Sequence, residues 1–311
     1  MRILIVGAGA TGGFYGGRLA QIGRDVTFLV RPARANKLRR NGLQIVSPLG
    51  DATIQPQFVT AEELRANPQP FDLILLATKS YSLEAAIEDL AAAVGPETAI
   101  LPILNGMRQL DLLDARFGPE HVLGGTCRIN SDADADGRIL QLSTLGDLTF
   151  GERNREHTAR IERINRELSG ALFKAVLPED VLAAMWNKWY ILAALNIICI
   201  LPRGTCGEVV AVPQGLAFAN AAIDECITIA AANGYPPPAK LIEWDRKRLT
   251  EPGSDLTSSM YRDMGKNAPV EADHIIGDLV ARAEAHNVDA PLLRATYVQL
   301  KVYEAQAQRR P

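Results

Sequence analysis

The sequence predicts a doubly wound α/β domain followed by an all-α domain. Three observations support this. Through the first half, short apolar runs alternate with helical patterns, the order expected of a parallel sheet with crossover helices. A glycine-rich run, Gly7-Ala8-Gly9-Ala10-Thr11-Gly12, stands directly after the first apolar run. Strand patterns stop near Pro178, and apolar helical patterns continue beyond it.

Taken in order, strands are expected at residues 3–6, 25–30, 71–77 and 99–104, where β-branched residues and Leu form runs apolar enough to be covered on both faces. Between the first two, Phe14, Leu19 and Ile22 recur at roughly helical spacing, so residues 3–30 read as one βαβ unit. Weaker, alternating segments at 42–47, 52–59, 138–143 and 147–151 suggest an antiparallel extension on one edge of the sheet. After a charged stretch (153–167) and an apolar run (171–177), Pro178-Glu179-Asp180 reads as a helix entry, with a proline and acids in the first turn. Residues 181–200 form a helical pattern apolar on nearly every side, stopped by Pro202 and Gly204, as expected of a helix in a bundle core. Patterns at 213–233, 239–250, 270–286 and 291–305 supply further helices. The domains are accordingly placed at 1–177 and 178–311, with a short polar tail at 306–311 and no internal repeat.

Of 311 residues, 33 are Lys or Arg and 36 are Asp or Glu, a formal net charge of −3. Near-neutrality offers no long-range field for a polyanion, which argues against nucleic acid as a partner. The longest apolar run, 189–201, falls short of the roughly 20 residues a bilayer span needs and contains Asn196, which argues against a membrane. Cys127, Cys199, Cys206 and Cys226 show no metal-ligand spacing and read as reduced, structural residues, and no metal is expected. The N-terminus has neither a signal peptide's apolar region nor a transit peptide's composition, so a cytoplasmic protein acting on a small molecule is expected. A homodimer through the helical half is one use for its apolar helices, and internal core is the other.

In a glycine loop of this kind the first glycine permits a tight turn, the second lets the backbone approach a pyrophosphate, and the third allows close helix–strand packing. The N–H groups and dipole of the following helix then face the phosphates. Gly7, Ala8, Gly9, Ala10, Thr11 and Gly12 are therefore candidate dinucleotide-binding residues. At the end of the second strand an acid would accept hydrogen bonds from a ribose 2′-OH, but the residue is Arg31, whose guanidinium matches a 2′-phosphate instead. NADPH is preferred to NADH on this ground. Arg34, Lys37, Arg39 and Arg40 follow, and Lys37, Arg39 and Arg40 read as a solvated basic face.

Polar residues also interrupt apolar elements at three places. Lys79 and Asn105 follow predicted strands at the ends where open α/β sheets bind ligands, although either residue also suits a cap or a turn. Lys188 lies one helical turn before Leu192 and two before Asn196. A lysine in such a helix either snorkels to solvent or lines a cleft, where partial desolvation lowers its pKa and readies it to give a proton to a substrate oxygen. Ser258, Ser259 and Glu271 fit N-cap and first-turn positions as well as they fit a site.

Together, the Gly7–Gly12 loop, Thr78-Lys79, Leu104-Asn105-Gly106, Lys188 with Asn196, Ser258-Ser259-Met260 with Asp263, Glu271 and Val288-Asp289-Ala290-Pro291 resemble the ketopantoate reductase (2-dehydropantoate 2-reductase) family over nearly the whole chain. The resemblance implies an N-terminal Rossmann domain, a helical C-terminal domain and an interdomain cleft. There NADPH would reduce ketopantoate to (R)-pantoate, a step of pantothenate synthesis. It makes Lys188 the general acid at the keto oxygen, while Asn105 orients nicotinamide and substrate and Lys79 lies near the nicotinamide end. It assigns Asn196 to a substrate hydroxyl, Ser259 to the carboxylate and Glu271 to the polar network around Lys188. Two positions depart from the family pattern: Leu192 stands where a second asparagine is usual, and Val270 where threonine is common. Leu192 removes a hydrogen bond from a polar substrate tail, so a more apolar 2-keto acid is the alternative substrate. A non-catalytic NADPH-binding regulator is a further alternative, though it would have no need of Lys188, Asn105, Ser259 and Glu271 together.

Overall fold

The computed structural model describes residues 1–309. Arg310 and Pro311, at the end of the expected helical half and its polar tail, lie outside the described residues. The chain divides into two compact units, residues 1–104 with 109–184, and residues 105–108 with 185 onward.

In chain order the first unit contains β1 (Arg2–Val6), α1 (Ala10–Gln21), β2 (Asp25–Leu29), α2 (Pro32–Asn41), β3 (Leu43–Val46), β4 (Ala52–Ile54) and β5 (Gln57–Val59). There follow α3 (Ala61–Ala66), β6 (Leu73–Leu76), α4 (Leu83–Leu90), β7 (Ala99–Pro102), α5 (Arg108–Phe117), β8 (Gly124–Ala133), β9 (Ile139–Gly151), α6 (Ala159–Leu168) and β10 (Lys174–Val176). Strands β5-β2-β1-β6-β7 form a parallel sheet, with Ile5 opposite Phe28 on one side and Leu75 on the other. Ile3, Leu4 and Ile5 are fully buried, each contributing about 1.5–3 kcal/mol through removal from water. Successive strands run outward in opposite directions from the β1–β6 pair, the arrangement that opens a crevice at the C-terminal strand ends of a doubly wound, Rossmann-type fold.

The weaker strands do not form an antiparallel extension of this sheet. They build a separate sheet in the order β10-β9-β3-β4, with β8 also on β9. Its pairs are mixed: β3–β9 and β10–β9 are parallel, whereas β3–β4 and β8–β9 are antiparallel. The expected strand 52–59 divides, and its second half joins the parallel sheet as β5 beside β2. Segments 138–143 and 147–151 are one continuous strand, β9. Gly16 and Gly17 show why α1 lies so close to these strands. A Cβ would stand 2.7 Å from Ile5 at Gly16 and 2.8 Å from Ile45 at Gly17.

Helix α7 (Val181–Ile200) enters at Asp180, whose carboxylate accepts the Ala183 N–H at 2.9 Å, and Pro178 stays outside the helix. The division between units falls within its first turns, a few residues beyond the 177/178 boundary drawn from sequence. The second unit adds α8 (Cys206–Ala211), α9 (Gly215–Ala232), α10 (Ala239–Leu249), α11 (Ser259–Gly265), a π-helical turn (Ala272–Gly277), α12 (Asp278–Ala285) and α13 (Pro291–Ala307). Helices α7 and α9 are each long and apolar enough to cross a membrane, which counting the apolar run had missed. Most of α7 is buried, from Trp186 and Trp189 to Ile200. Trp186 stacks on Tyr235 at 5.5 Å, and the Arg282 guanidinium lies over both tryptophans. The four cysteines are buried and form no disulfide among the described residues.

Candidate functional site

In the first unit, Gly7 adopts φ +98°, a left-handed conformation that β-branched or bulky residues avoid. A Cβ on Gly12 would meet the Gly7 carbonyl at 2.0 Å, so only glycine lets α1 start this close to β1. Around Gly9 nothing lies within 4 Å of a would-be Cβ, and no side chain caps the N-terminus of α1. Beside the loop, the Thr78 hydroxyl oxygen is buried without a hydrogen-bond partner, and its methyl lies 3.3 Å from a would-be Gly7 Cβ. An uncapped helix start, an open glycine and an orphan hydroxyl fit a phosphate-bearing ligand. By residue type a threonine after a strand suits a turn equally well, so Thr78 stands out in sequence only within the Thr78-Lys79 pair of the family resemblance.

Arg31 is exposed, and its guanidinium donates to Ser82 Oγ at 3.1 Å. Ser82 ends the 3₁₀ turn Ser80–Ser82, which Lys79 precedes, so Arg31 and Lys79 flank one short loop. Lys37 is half-buried on the basic face. It donates to the Ala135 carbonyl at 2.9 Å, while Arg39 and Arg40 stay exposed and bond Asn36. Arg34 reaches both the Ala8 carbonyl (3.1 Å) and the Gly137 carbonyl (2.9 Å), and burial lowers its pKa.

In the second unit, Lys188 and Leu192 are half-buried, whereas Asn196 is only 1% exposed. At about 1.5 Å rise per residue, Lys188 and Asn196 stand roughly 12 Å apart on one stripe. The Asn196 amide donates to the Leu192 carbonyl at 2.8 Å, but its Oδ1 is buried without a partner. Next to Lys188, the Trp189 indole N–H donates to the Ile275 carbonyl at 2.9 Å, tying α7 to the π-helical turn. That turn follows directly on Glu271, which is 7% exposed, and contains His274, which is 6% exposed. The segment Asn105-Gly106 packs on His274: Gly106 has φ +83°, and a Cβ there would stand 2.8 Å from the His274 carbonyl. The His274 ring also hydrogen-bonds the Asn105 backbone. Burial pulls the His274 pKa down, Glu271 opposes this, Arg108 adds to it, and the Asn105 bond opposes it, leaving the net value below the ordinary one.

At the other end of α7, the Leu256 carbonyl accepts from the Cys206 N–H (3.0 Å) and the Cys199 thiol (3.9 Å). Ser258 caps α11, accepting the Tyr261 N–H at 3.0 Å, and Ser259 follows it half-buried. Within the second unit, the turn that follows Glu271 is bonded to α7 beside Lys188 and meets Gly106, and the segment leading to Ser259 is bonded to the C-terminal end of α7. Gly7–Gly12, Arg31 and Lys79 belong to the first unit. His274 escaped the sequence because a single histidine in a helical pattern carries no spacing signal.

The sequence profile described as ketopantoate reductase PanE/ApbA matches residues 3–155, and the corresponding C-terminal profile matches residues 180–304. The chain belongs to the ketopantoate reductase family. Like other ketopantoate reductase family members it is an oxidoreductase, and the family is NAD(P)-dependent. It is 37% identical over 306 residues to the Bacillus subtilis protein named uncharacterized oxidoreductase YkpB, an alignment covering 98% of this chain and 100% of that one. It is 28% identical to the 2-dehydropantoate 2-reductase of Mesorhizobium japonicum, over 89% of each chain. The crystal structure of 2-dehydropantoate 2-reductase from Methylococcus capsulatus superposes with a TM-score of 0.87 at 27% identity, covering 100% of this chain and 99% of that one. A D-mandelate dehydrogenase solved with NADH and anilino(oxo)acetate shares the fold, with a TM-score of 0.88 at 20% identity over 100% of both chains.

Proposed function

We propose that this family member reduces a 2-keto acid to a 2-hydroxy acid, with ketopantoate as substrate, (R)-pantoate as product and NADPH as hydride donor. Helix α7 carries this assignment: it is buried on nearly all sides, yet keeps Lys188 and Asn196 on one stripe and leaves Asn196 Oδ1 without a partner. Gly7, Ala8, Gly9, Ala10, Thr11 and Gly12 hold the diphosphate, Arg31 takes the 2′-phosphate, and Lys79 lies on the loop beside it. NADPH, when bound, supplies the hydride that adds to the substrate's C2. Lys188 gives its Nζ proton to the keto oxygen as negative charge develops there, so hydride and proton together make the alcohol. Asn105 and Asn196 orient the substrate through their amides, Ser259 binds the carboxylate, and Glu271 completes the polar surroundings of Lys188.

A second reading keeps the chemistry and changes the substrate's tail. Leu192 presents a half-buried isobutyl group between Lys188 and Asn196, and its carbonyl already accepts the Asn196 amide. This favours a more apolar 2-keto acid.

The test is a panel of 2-keto acids, ketopantoate and branched or aromatic analogues among them, followed by loss of NADPH or NADH absorbance. Fastest turnover of ketopantoate with NADPH supports the first reading, and fastest turnover of an apolar analogue supports the second. Equal affinity for NADPH and NADH sinks the Arg31 assignment. Lys188→Ala is expected to lower kcat by about 10²–10⁴ with the cofactor dissociation constant unchanged; a loss of only a few-fold removes Lys188 as the general acid.

A further inference from the structure

We propose that Arg34 is a positioning residue of the dinucleotide site, holding the Ala8–Gly9 peptide so that the Gly9 N–H faces the cofactor diphosphate. This rests on the reading of the glycine loop given above. In a planar trans peptide the C=O of one residue and the N–H of the next point in opposite directions, and the described chain has no cis bond. Whatever fixes the Ala8 carbonyl therefore also aims the Gly9 N–H. Arg34 Nε donates to that carbonyl at 3.1 Å. The guanidinium is itself fixed from its other side, where Nη1 donates to the Gly137 carbonyl at 2.9 Å. Because the group is planar, two bonds from Nε and Nη1 set its plane as well as its position, which an ammonium on a flexible stem cannot do.

The surroundings make this bond consequential. Gly9 is exposed with nothing within 4 Å of a would-be Cβ, so side-chain packing does not restrain its peptide. An Ala8 carbonyl turned toward the diphosphate would set oxygen against oxygen. On the far side, Gly137 (φ +85°) leaves room for the guanidinium: a Cβ there would stand 2.3 Å from Arg34 Nη1. Lys37 gives the turn between β8 and β9 a second tether at Ala135 that does not touch the glycine loop. The two contacts of the turn can thus be separated by mutation.

The experiment measures dissociation constants of the full-length protein for NADPH and for adenosine 2′-monophosphate, which carries the 2′-phosphate but neither phosphate of the diphosphate. Arg34→Met and Arg34→Lys are each expected to weaken NADPH binding about tenfold, as for one lost hydrogen bond, and to leave the 2′-monophosphate within about twofold of wild type. Lys37→Met is expected to leave both constants unchanged. Should Arg34→Met fail to fold, Gly137→Ala displaces the guanidinium while retaining it and is expected to show the same selective loss. Equal loss for both ligands, a Lys37→Met loss matching Arg34→Met, or wild-type affinity in Arg34→Lys each overturns the proposal. If the wild-type protein binds no NADPH, the reading of the glycine loop fails and the proposal with it. Unchanged NADPH binding in Arg34→Met, with the wild type binding, overturns the proposal alone.

Discussion

A buried amide oxygen without a partner costs about 1–3 kcal/mol, and Asn196 carries that cost in the last turns of α7. Its other half adds little stability, because the Leu192 carbonyl it bonds lies one turn back in the same helix. Asn196→Leu is therefore expected to keep or raise the thermal midpoint while raising KM for the keto acid about tenfold; a fall in midpoint with KM unchanged would make Asn196 a structural residue. Leu192 poses the complementary question. Leu192→Asn adds an amide where the family usually has one and is expected to shift kcat/KM toward ketopantoate and away from branched apolar analogues, by about tenfold in the ratio, as competition assays would show. Lys188 and Asn196 stand out as single letters because polar groups inside an apolar helical pattern need a partner or a cavity, whereas Glu271 suits a first turn equally well and takes a site role only through the family resemblance. Arg34 was not legible, since in sequence it is one of five cations from Arg31 to Arg40, and only its bond to the Ala8 carbonyl distinguishes it.

At the scale of elements, the π-helical turn is the unit that joins Glu271, His274 and Asn105. Burial holds the His274 pKa below its ordinary value, so the unfolded chain takes up that proton at a higher pH than the folded one does. Above the ordinary histidine value of about 6.5 both states are neutral there and His274 contributes no pH dependence. As pH falls through that value the unfolded state gains the proton first, and stability drops until the folded pKa is reached. His274→Gln is expected to flatten the stability profile between pH 7 and 5, measured by denaturant titration at each pH; an unaltered profile would show that the burial of His274 is not transmitted to folding. The parallel sheet was readable because its strands are buried on both faces and so form continuous apolar runs. Strand β8, Gly-Gly-Thr-Cys-Arg-Ile-Asn-Ser-Asp-Ala, escaped because its second half is polar and reads as a loop; pairing with β9 holds it in the sheet. The π turn escaped for a related reason, since its residues continue a helical pattern and only the backbone shows the change of pitch.

For the whole molecule, the succession of an α/β half and a helical half was legible, including both ends of α7, while the path of the chain between the two units was not. Residues 105–108 leave the first unit for the second, and the chain then returns at Gln109. A pattern of four residues, Asn105-Gly106-Met107-Arg108, holds no signal for such an excursion. It does make a prediction: a fragment starting at Met185 lacks the Asn105-Gly106 segment that His274 packs against, so His274 is expected to titrate near its ordinary value in that fragment and below it in the intact protein, as NMR would record. Identical titration in both would mean that the segment contributes nothing to the burial of His274. Along the backbone, then, the two units are stitched together after residues 104, 108 and 184. Bodies joined by one thread can be traded between genes by one recombination event. Here a single exchange at the last stitch would leave behind residues 105–108, including the Gly106 that packs on His274, so trading the second body whole takes more than one exchange.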